Sequence, residues 1–217
     1  MIDLPEATKV NRRLPKEAFY KKLALNTVIK DKFVSDVERI VVENSLTKEN
    51  LNLSDDAEVK EILLLSLTLK KPEIDNRILE AIARQNPHKL VFLVVYEDKR
   101  QLALYSSKLY KTAWINDSAL QLRASGFNLD QIWNDLIEQI ALHEERAESV
   151  SALPIGERLA LQEQIIKLEK KIEKLEADLM KEQQPRKKFD KFTELQKYKK
   201  KTGEYEAWTS LRCIRLI

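Results

Sequence analysis

The sequence predicts an α+β head, a small mixed sheet covered by helices, followed by a C-terminal coiled-coil or helical extension. Three observations predict it. Apolar runs of strand length lie in the first half of the chain, Pro154 and Gly156 follow the last head-like helix, and a heptad repeat comes after them. We therefore expect an α/β head domain over residues 1–148. Residues 149–217 are expected to form a coiled-coil helix and a basic tail.

The strands of the head are predicted from three patterns. In Val59–Leu69, leucines recur at every second position, which is the period of a strand. Leu90–Tyr96 is a continuous apolar run, typical of a central strand buried on both faces, and Leu102–Tyr105 is its hairpin partner. Val37–Val42 is rich in β-branched residues, but its apolar spacing also fits a helix, and both interpretations stay open.

Two helices are predicted to cover this sheet. The first has an apolar face over Ile74–Ile82 and ends before Pro87. The second begins after Gly126, where Asn128 and Gln131 resemble a capping box. Its apolar residues recur at helical spacing and predict packing onto the sheet: Leu129, Ile132, Trp133, Leu136 and Ile140.

Composition bounds the class of protein. The chain has 217 residues, of which 43% are hydrophobic and 34% are charged, so a packed core and a solvated charged segment are both expected. Its single cysteine, Cys213, cannot form a disulfide within the chain, which fits a reducing cytosol. We find no signal-peptide pattern and no apolar run long enough to cross a bilayer, so a cytoplasmic location is expected.

Motifs for nucleotide chemistry are missing from the sequence. The three glycines, Gly126, Gly156 and Gly203, are far apart, whereas a Walker loop or a dinucleotide fingerprint needs several glycines within one turn. These known routes to nucleotide binding are therefore excluded. No cofactor and no metal site are predicted.

Catalytic candidates are few. Either histidine could in principle act as a general base, but His88 is read as a loop residue at a strand entrance and His143 as a residue near a helix end. Glu58-Val59-Lys60 has the carboxylate–x–lysine spacing of a metal-dependent nuclease if both side chains share one strand face. A solvated strand end is the competing interpretation, and no catalytic residue is assigned.

The heptad repeat is the most specific feature of the sequence. Apolar residues recur in steps of four and three, and mostly charged residues lie between them. The pattern favours a homodimeric coiled coil. The alternatives are packing on the head domain or a hairpin with the helical piece Arg186–Lys201. The predicted interface residues are Leu161, Ile165, Leu168, Ile172, Leu175 and Leu179.

The tail after Pro185 is basic. Residues 181–201 hold nine Lys or Arg and three Asp or Glu, a local charge of +6 in a chain of net charge +3. Such a segment could neutralise phosphates, with Phe189 and Phe192 stacking on bases, or it could be a solvated amphipathic helix. The candidate nucleic-acid-binding residues are Arg186, Lys187, Lys188, Lys191, Lys199, Lys200 and Lys201.

Residues from both parts of the chain carry a family resemblance. They are Ile2-Asp3-Leu4-Pro5, Ile78–Ile82 running into Pro87-His88, Leu90–Tyr96 with Glu97-Asp98, Leu168–Lys171, and the tail from Lys181 to Lys201. Over residues 1–200 the chain resembles a bacterial domain-of-unknown-function family, number 4391. The resemblance assigns no catalytic residues. It implies that members of the family are encoded near the genes of helicases and DNA methyltransferases in restriction or defence loci.

We therefore expect a non-catalytic accessory or assembly subunit of a bacterial DNA-modification, restriction or phage-defence complex. A helicase or a DNA methyltransferase is the candidate protein partner. One alternative is a nucleic-acid-binding module that uses the basic tail. The other is a divergent metal-dependent nuclease in the head.

Overall fold

A computed structural model describes residues 2–17, 23, 25–53, 57–142 and 154–211, with side chains in the last range described to residue 204. The chain divides into two compact units, residues 1–144 and 145–217. The predicted domain boundary at 148, together with His143 and Cys213, lies outside the described residues.

The first unit is built on a mixed sheet. Its strands are β1 (Ile2–Asp3), β2 (Lys9–Leu14), β3 (Val37–Thr47), β4 (Glu61–Leu69), β5 (Lys89–Tyr96), β6 (Lys99–Tyr105), β7 (Leu109–Lys111), β8 (Ile115–Asn116) and β9 (Leu122–Arg123). In the described residues, β2 to β7 are hydrogen-bonded in chain order, β8 also pairs with β6, and β1 pairs separately with β9. Within the large sheet β4 and β5 are parallel, and their neighbours are antiparallel. Among the described residues of the head the helices are α1 (Thr27–Asp36), α2 (Asn76–Gln85) and α3 (Leu129–Ile137), and a π-helical turn follows at Glu138–Leu142.

This architecture confirms an α+β head. The ambiguous segment at Val37 is a strand, and it extends to Thr47. Asn128 caps α3 as predicted, because its side chain accepts a hydrogen bond from the Gln131 N–H at 2.9 Å. The Gln131 side chain accepts in turn from Phe127 N–H at 2.9 Å, one residue earlier than a capping box requires.

Both faces of the sheet are covered. One face packs against α1 and α2, with Leu65, Phe92 and Ile78 among its fully buried residues. Alternation along β4 turns Leu64 and Ser66 to the opposite face. The buried stripe of α3, which includes Trp133, is not part of the first core, and α3 packs against β4 on part of that second face.

The second unit contains two long helices, α4 (Ile155–Lys181) and α5 (Pro185–Leu211). Pro185 ends the heptad pattern as expected and is the first residue of α5. Its missing N–H costs no hydrogen bond there, because the first N–H groups of a helix have no intrahelical partner. Three residues connect the helices. α4 and α5 pack side by side as an antiparallel pair, which we call the helical hairpin.

Candidate functional site

Polar contacts fix how the two helices of the hairpin pair. Lys199 Nζ lies 2.7 Å from Glu176 Oε1, and the Lys171 ammonium lies 5.5 Å from the centre of the Tyr198 ring. At the turn, Glu182 accepts from Lys191 Nζ at 3.2 Å and from the Gln184 N–H at 3.2 Å. The Gln184 N–H and the Lys191 ammonium lower the pKa of Glu182.

The predicted heptad seam therefore has a partner in its own chain. Ile165 and Leu168 are buried, as is Leu195 of α5. The structure thus shows the hairpin that the sequence left as an alternative, whereas the homodimer stays a prediction. The other predicted interface residues of α4 are half-buried: Leu161, Ile172, Leu175 and Leu179.

The predicted basic residues fall into two groups. Lys199 forms an ion pair with Glu176 of α4, and Lys191 forms one with Glu182 of the hairpin connection. Arg186, Lys187 and Lys188 are exposed in the first turn of α5, beside the hairpin connection. Lys200 and Lys201 are exposed three to four turns further on. The +6 charge of residues 181–201 is therefore spread along the hairpin, with cations grouped at the start of α5 and again over residues 197–201.

Three apolar side chains around the hairpin connection are exposed to solvent. Met180 at the end of α4 is 88% exposed, and Phe189 and Phe192 near the start of α5 are 70% and 47% exposed. We call these three residues the tip patch. Leu195 is the next apolar residue of the same helix after Phe192, and the structure buries it while the two aromatic rings stay exposed.

The head carries a cleft of about 500 Å³ at the starts of β4 and β5. His88 Nδ1 lies 3.2 Å from Glu61 Oε2 there, and Ser45 Oγ donates to the other oxygen of the same carboxylate. Lys89 Nζ lies 5.6 Å from the centre of the Trp133 ring. The Glu61 carboxylate thus orients the His88 ring, which lines the cleft. The interpretation of His88 as a plain loop residue missed this contact, because Glu61 is distant in sequence.

The suggested nuclease triplet borders the same cleft. Glu58-Val59-Lys60 lies in the loop before β4, so the premise that Glu58 and Lys60 share one strand face is wrong. The Asp130 carboxylate instead accepts hydrogen bonds from the backbone N–H groups of Glu58 and Val59, each with an N···O distance of 2.9 Å. Across the described residues, no group of three or more His, Cys, Asp or Glu is arranged to hold a metal ion.

A second cleft of about 370 Å³ lies on the sheet face that carries Ser66, and we call it the sheet-face cleft. Strand register places Arg39, Thr68, Val95 and Arg100 in one row across four adjacent strands, β3 to β6. All four residues line the cleft, as does Ser66, which is 6% exposed. Sequence reasoning missed this site, because its residues come together only through long-range strand pairing.

The described elements define an α+β protein with a C-terminal helical hairpin. Residues 2–201 match the model of the family described as Domain of unknown function (DUF4391), and the chain belongs to that family. No curated protein and no solved structure matches the chain. A search of the described helices found none that is both long and apolar enough to span a membrane.

Proposed function

We propose that the protein is a non-catalytic accessory subunit that joins a larger protein through its helical hairpin. The observation that carries this proposal is the tip patch. Scattered exposed apolar residues are normal on a protein surface. Here Met180, Phe189 and Phe192 all lie within about two helical turns of one connection, on helices whose other exposed positions are mostly charged. Aromatic residues and methionine are enriched in protein interfaces.

The charges beside the tip patch define what kind of partner would fit. Arg186, Lys187 and Lys188 are exposed next to Phe189 in the chain. A complementary surface would therefore offer an apolar groove with acidic side chains at its rim. The family resemblance adds the partner class, a helicase or a DNA methyltransferase of a DNA-modification or defence complex. In this proposal the head has a structural or regulatory part and no reaction of its own.

The test uses the full chain and a defined partner. The protein is co-expressed with the helicase or methyltransferase encoded beside it, and the mass of the purified complex is measured by light scattering. We expect a stable complex that is lost when Phe189 and Phe192 are both changed to Ser. The matched control is Val28→Ser, because Val28 is 59% exposed on α1 of the head. A complex that survives the double change, or no complex with either enzyme, would refute the proposed docking.

A second candidate function is nucleic-acid binding at the same end of the hairpin. It is favoured by the exposure of three cations and two phenyl rings near one another in the chain. Basic side chains neutralise phosphates, and exposed aromatic rings stack on unpaired bases. The variant for this test changes Arg186, Lys187 and Lys188 to Glu, which reverses three exposed charges. Lys199 is left unchanged, because reversing its charge would also break the ion pair with Glu176 in the hairpin.

This second candidate is tested by the fluorescence anisotropy of a labelled single-stranded DNA. If the tip binds DNA, affinity falls steeply with rising salt, and the triple variant abolishes binding. Lys174→Glu on the exposed side of α4 is the matched control, and it changes one charge on the same hairpin. Binding that the triple variant leaves intact places any DNA contact elsewhere in the protein.

A further inference from the structure

We propose that the sheet-face cleft binds a ligand that carries both a phosphate and hydroxyl groups, of about the size of a nucleotide. The cleft lies in the head, so this site is independent of the hairpin and of its proposed partner. Its volume of about 370 Å³ falls within the range of small-molecule sites.

The charge of the lining favours an anion. Lys9, Arg39 and Arg100 contribute three cationic side chains, and Glu43 contributes one carboxylate. Lys9 also forms an ion pair of 2.6 Å with Glu6, so Arg39 and Arg100 are the main cations of the lining. Strands in a sheet are spaced about 4.8 Å apart, so Arg39 and Arg100 begin three strand spacings apart in the row. Arg39 lies next to Thr68 in the row, and Arg100 lies two strands beyond Thr68, on β6. The planar guanidinium of Arg39 suits a phosphate, because it offers paired N–H donors.

Arg100 is held in place by the protein itself. Its Nη1 donates to the carbonyls of Glu97 and Lys99 at 2.8 and 3.0 Å, and its Nε lies 3.1 Å from Asp117 Oδ1. These contacts use Nε and Nη1, which leaves the donors of Nη2 for a ligand. Only 19% of the Arg100 side chain is exposed, so its position is fixed before any ligand arrives. Preorganisation of this kind reduces the entropic cost of binding.

The floor of the cleft is unusually polar for a central strand. Ser66 and Thr68 lie on the same face of β4 and alternate with Leu65, Leu67 and Leu69, which face the main core. Serine is usually an exposed residue, yet Ser66 is 6% exposed in the middle of the sheet. Its hydroxyl can donate to a phosphate oxygen, whereas a leucine there would have extended the apolar surface. The position is also in the carboxyl-terminal half of the parallel pair β4 and β5, where open sheets commonly bind ligands.

Three irregularities of the sheet border the same cleft. One register shift occurs between Lys9 and Arg12 of β2, and two occur in β3, between Val37 and Arg39 and between Val42 and Asn44. The first includes Asn11, a non-glycine residue with φ of 48°. Bulges of this kind redirect side chains and are frequent beside functional sites. Both Asn11 and Asn44 line the cleft, and the Asn44 amide donates to Thr8 Oγ1 at 2.8 Å, which fixes its orientation.

Glu43 determines the second part of the ligand. A carboxylate would repel a ligand that was only anionic, but it accepts hydrogen bonds from hydroxyl groups. A sugar phosphate unit supplies both features in one molecule. The unit can come from a free nucleotide or from one nucleotide of a strand, and the two sources share the chemistry that the cleft recognises.

The experiment titrates the full-length protein with adenosine monophosphate and, separately, with a short single-stranded RNA, by calorimetry. We expect Arg39→Gln to weaken binding of the monophosphate about tenfold or more, since a charge-assisted hydrogen bond is lost. Ser66→Val, which has nearly the same volume, is expected to weaken it as well. Arg12→Gln on exposed β2 is the matched control and should bind like the wild type. Melting temperatures of all variants show that each has folded.

The RNA arm distinguishes the sources. If the ligand is part of a strand, the RNA binds more tightly than the monophosphate, and Arg39→Gln and Ser66→Val weaken it equally. If the ligand is a free nucleotide, the monophosphate responds to both variants and RNA binding does not. The proposal is overturned if neither probe binds, or if folded Arg39→Gln and Ser66→Val variants bind both probes like the wild type.

Discussion

Lys199 of α5 and Glu176 of α4 form an ion pair of 2.7 Å between helices that run in opposite directions. Both side chains are nearly half exposed, so solvent screens the pair and it contributes little to stability. Its effect is to favour one register of the hairpin. The stability of the hairpin must therefore come from its buried apolar residues, which is the basis of the first prediction.

Leu195→Ala should destabilise the hairpin by about 2–5 kcal/mol, because it removes a side chain that is 5% exposed. Hydrogen exchange followed by mass spectrometry measures this locally, as faster exchange in peptides from α4 and α5 than in those from the sheet. Phe189→Ala is the control on the same helix. That ring is 70% exposed, so its loss should change the free energy of opening by about 0.5 kcal/mol or less. Equal effects of the two changes would contradict this division of α5.

The association state gives a second prediction. Since α5 occupies the heptad seam, we expect the protein alone to sediment as a monomer over a wide concentration range. Leu168→Ala should then lower the melting temperature by an amount that does not depend on concentration. Concentration-dependent dissociation, made worse by Leu168→Ala, would instead support the homodimer that the heptad spacing favours.

Two glycines should respond in opposite directions to alanine. A Cβ on Gly126 would lie 2.9 Å from both Gln131 Cβ and Ile132 N, at the start of α3. Gly126→Ala is therefore expected to destabilise the head by about 1–3 kcal/mol. A Cβ on Gly203 of α5 has open space around it, so Gly203→Ala should stabilise the hairpin by about 0.5–1 kcal/mol through helix propensity. Thermal unfolding of both variants measures the two signs.

Asp75 should make part of the head's stability depend on pH. It caps α2, and hydrogen bonds from Arg77 and Lys32 lower its pKa well below the usual range. A lowered folded-state pKa stabilises the protein above the unfolded-state pKa of about 4, and this contribution is lost as the pH falls further. Asp75→Asn keeps a capping acceptor but loses the charge. Urea unfolding should show it less stable than wild type by about 1 kcal/mol at pH 7, since both cationic partners are half exposed.

The check is the comparison at acid pH. The gap between wild type and Asp75→Asn should narrow steadily below pH 4, because the carboxylate of the unfolded wild type binds a proton there while that of the folded protein stays ionised. A gap of the same size at pH 7 and at pH 3 would show that the ion pairs of Asp75 do not carry the effect.

Local patterns predicted the elements that bury apolar side chains. The run Leu90–Tyr96 is the strand β5, and the Asn128 cap starts α3, because both signals lie within a few neighbouring residues. The short pair β1 and β9 carries no such pattern, since each strand has two residues and the pairing spans most of the head. The heptad repeat predicted an apolar seam but could not specify its partner, because α5 and a second copy of α4 satisfy the same spacing.

The candidate sites were harder to predict for the same reason. Arg39 and Arg100 share a row that depends on three strand registers, and no sequence spacing encodes it. The tip patch could not be predicted from the sequence for a different reason. Phe189 and Leu195 look alike as apolar residues of a lysine-rich helix, and only the path of α4 decides which of them is buried.

Among the strands that the structure describes, β2 stands at one end of the large sheet, so one row of its backbone groups has no strand partner there. Its exposed side chains include Lys9, Arg12 and Arg13, and the bulge at Asn11 interrupts its regular hydrogen-bonding edge. Charged side chains and bulges on such edges discourage the addition of strands from other molecules. The irregular strand that borders the sheet-face cleft thus also protects the protein against edge-to-edge aggregation. If β2 were uncharged and had no bulge, its edge could pair with strands of other molecules and the protein would be prone to form β-rich aggregates.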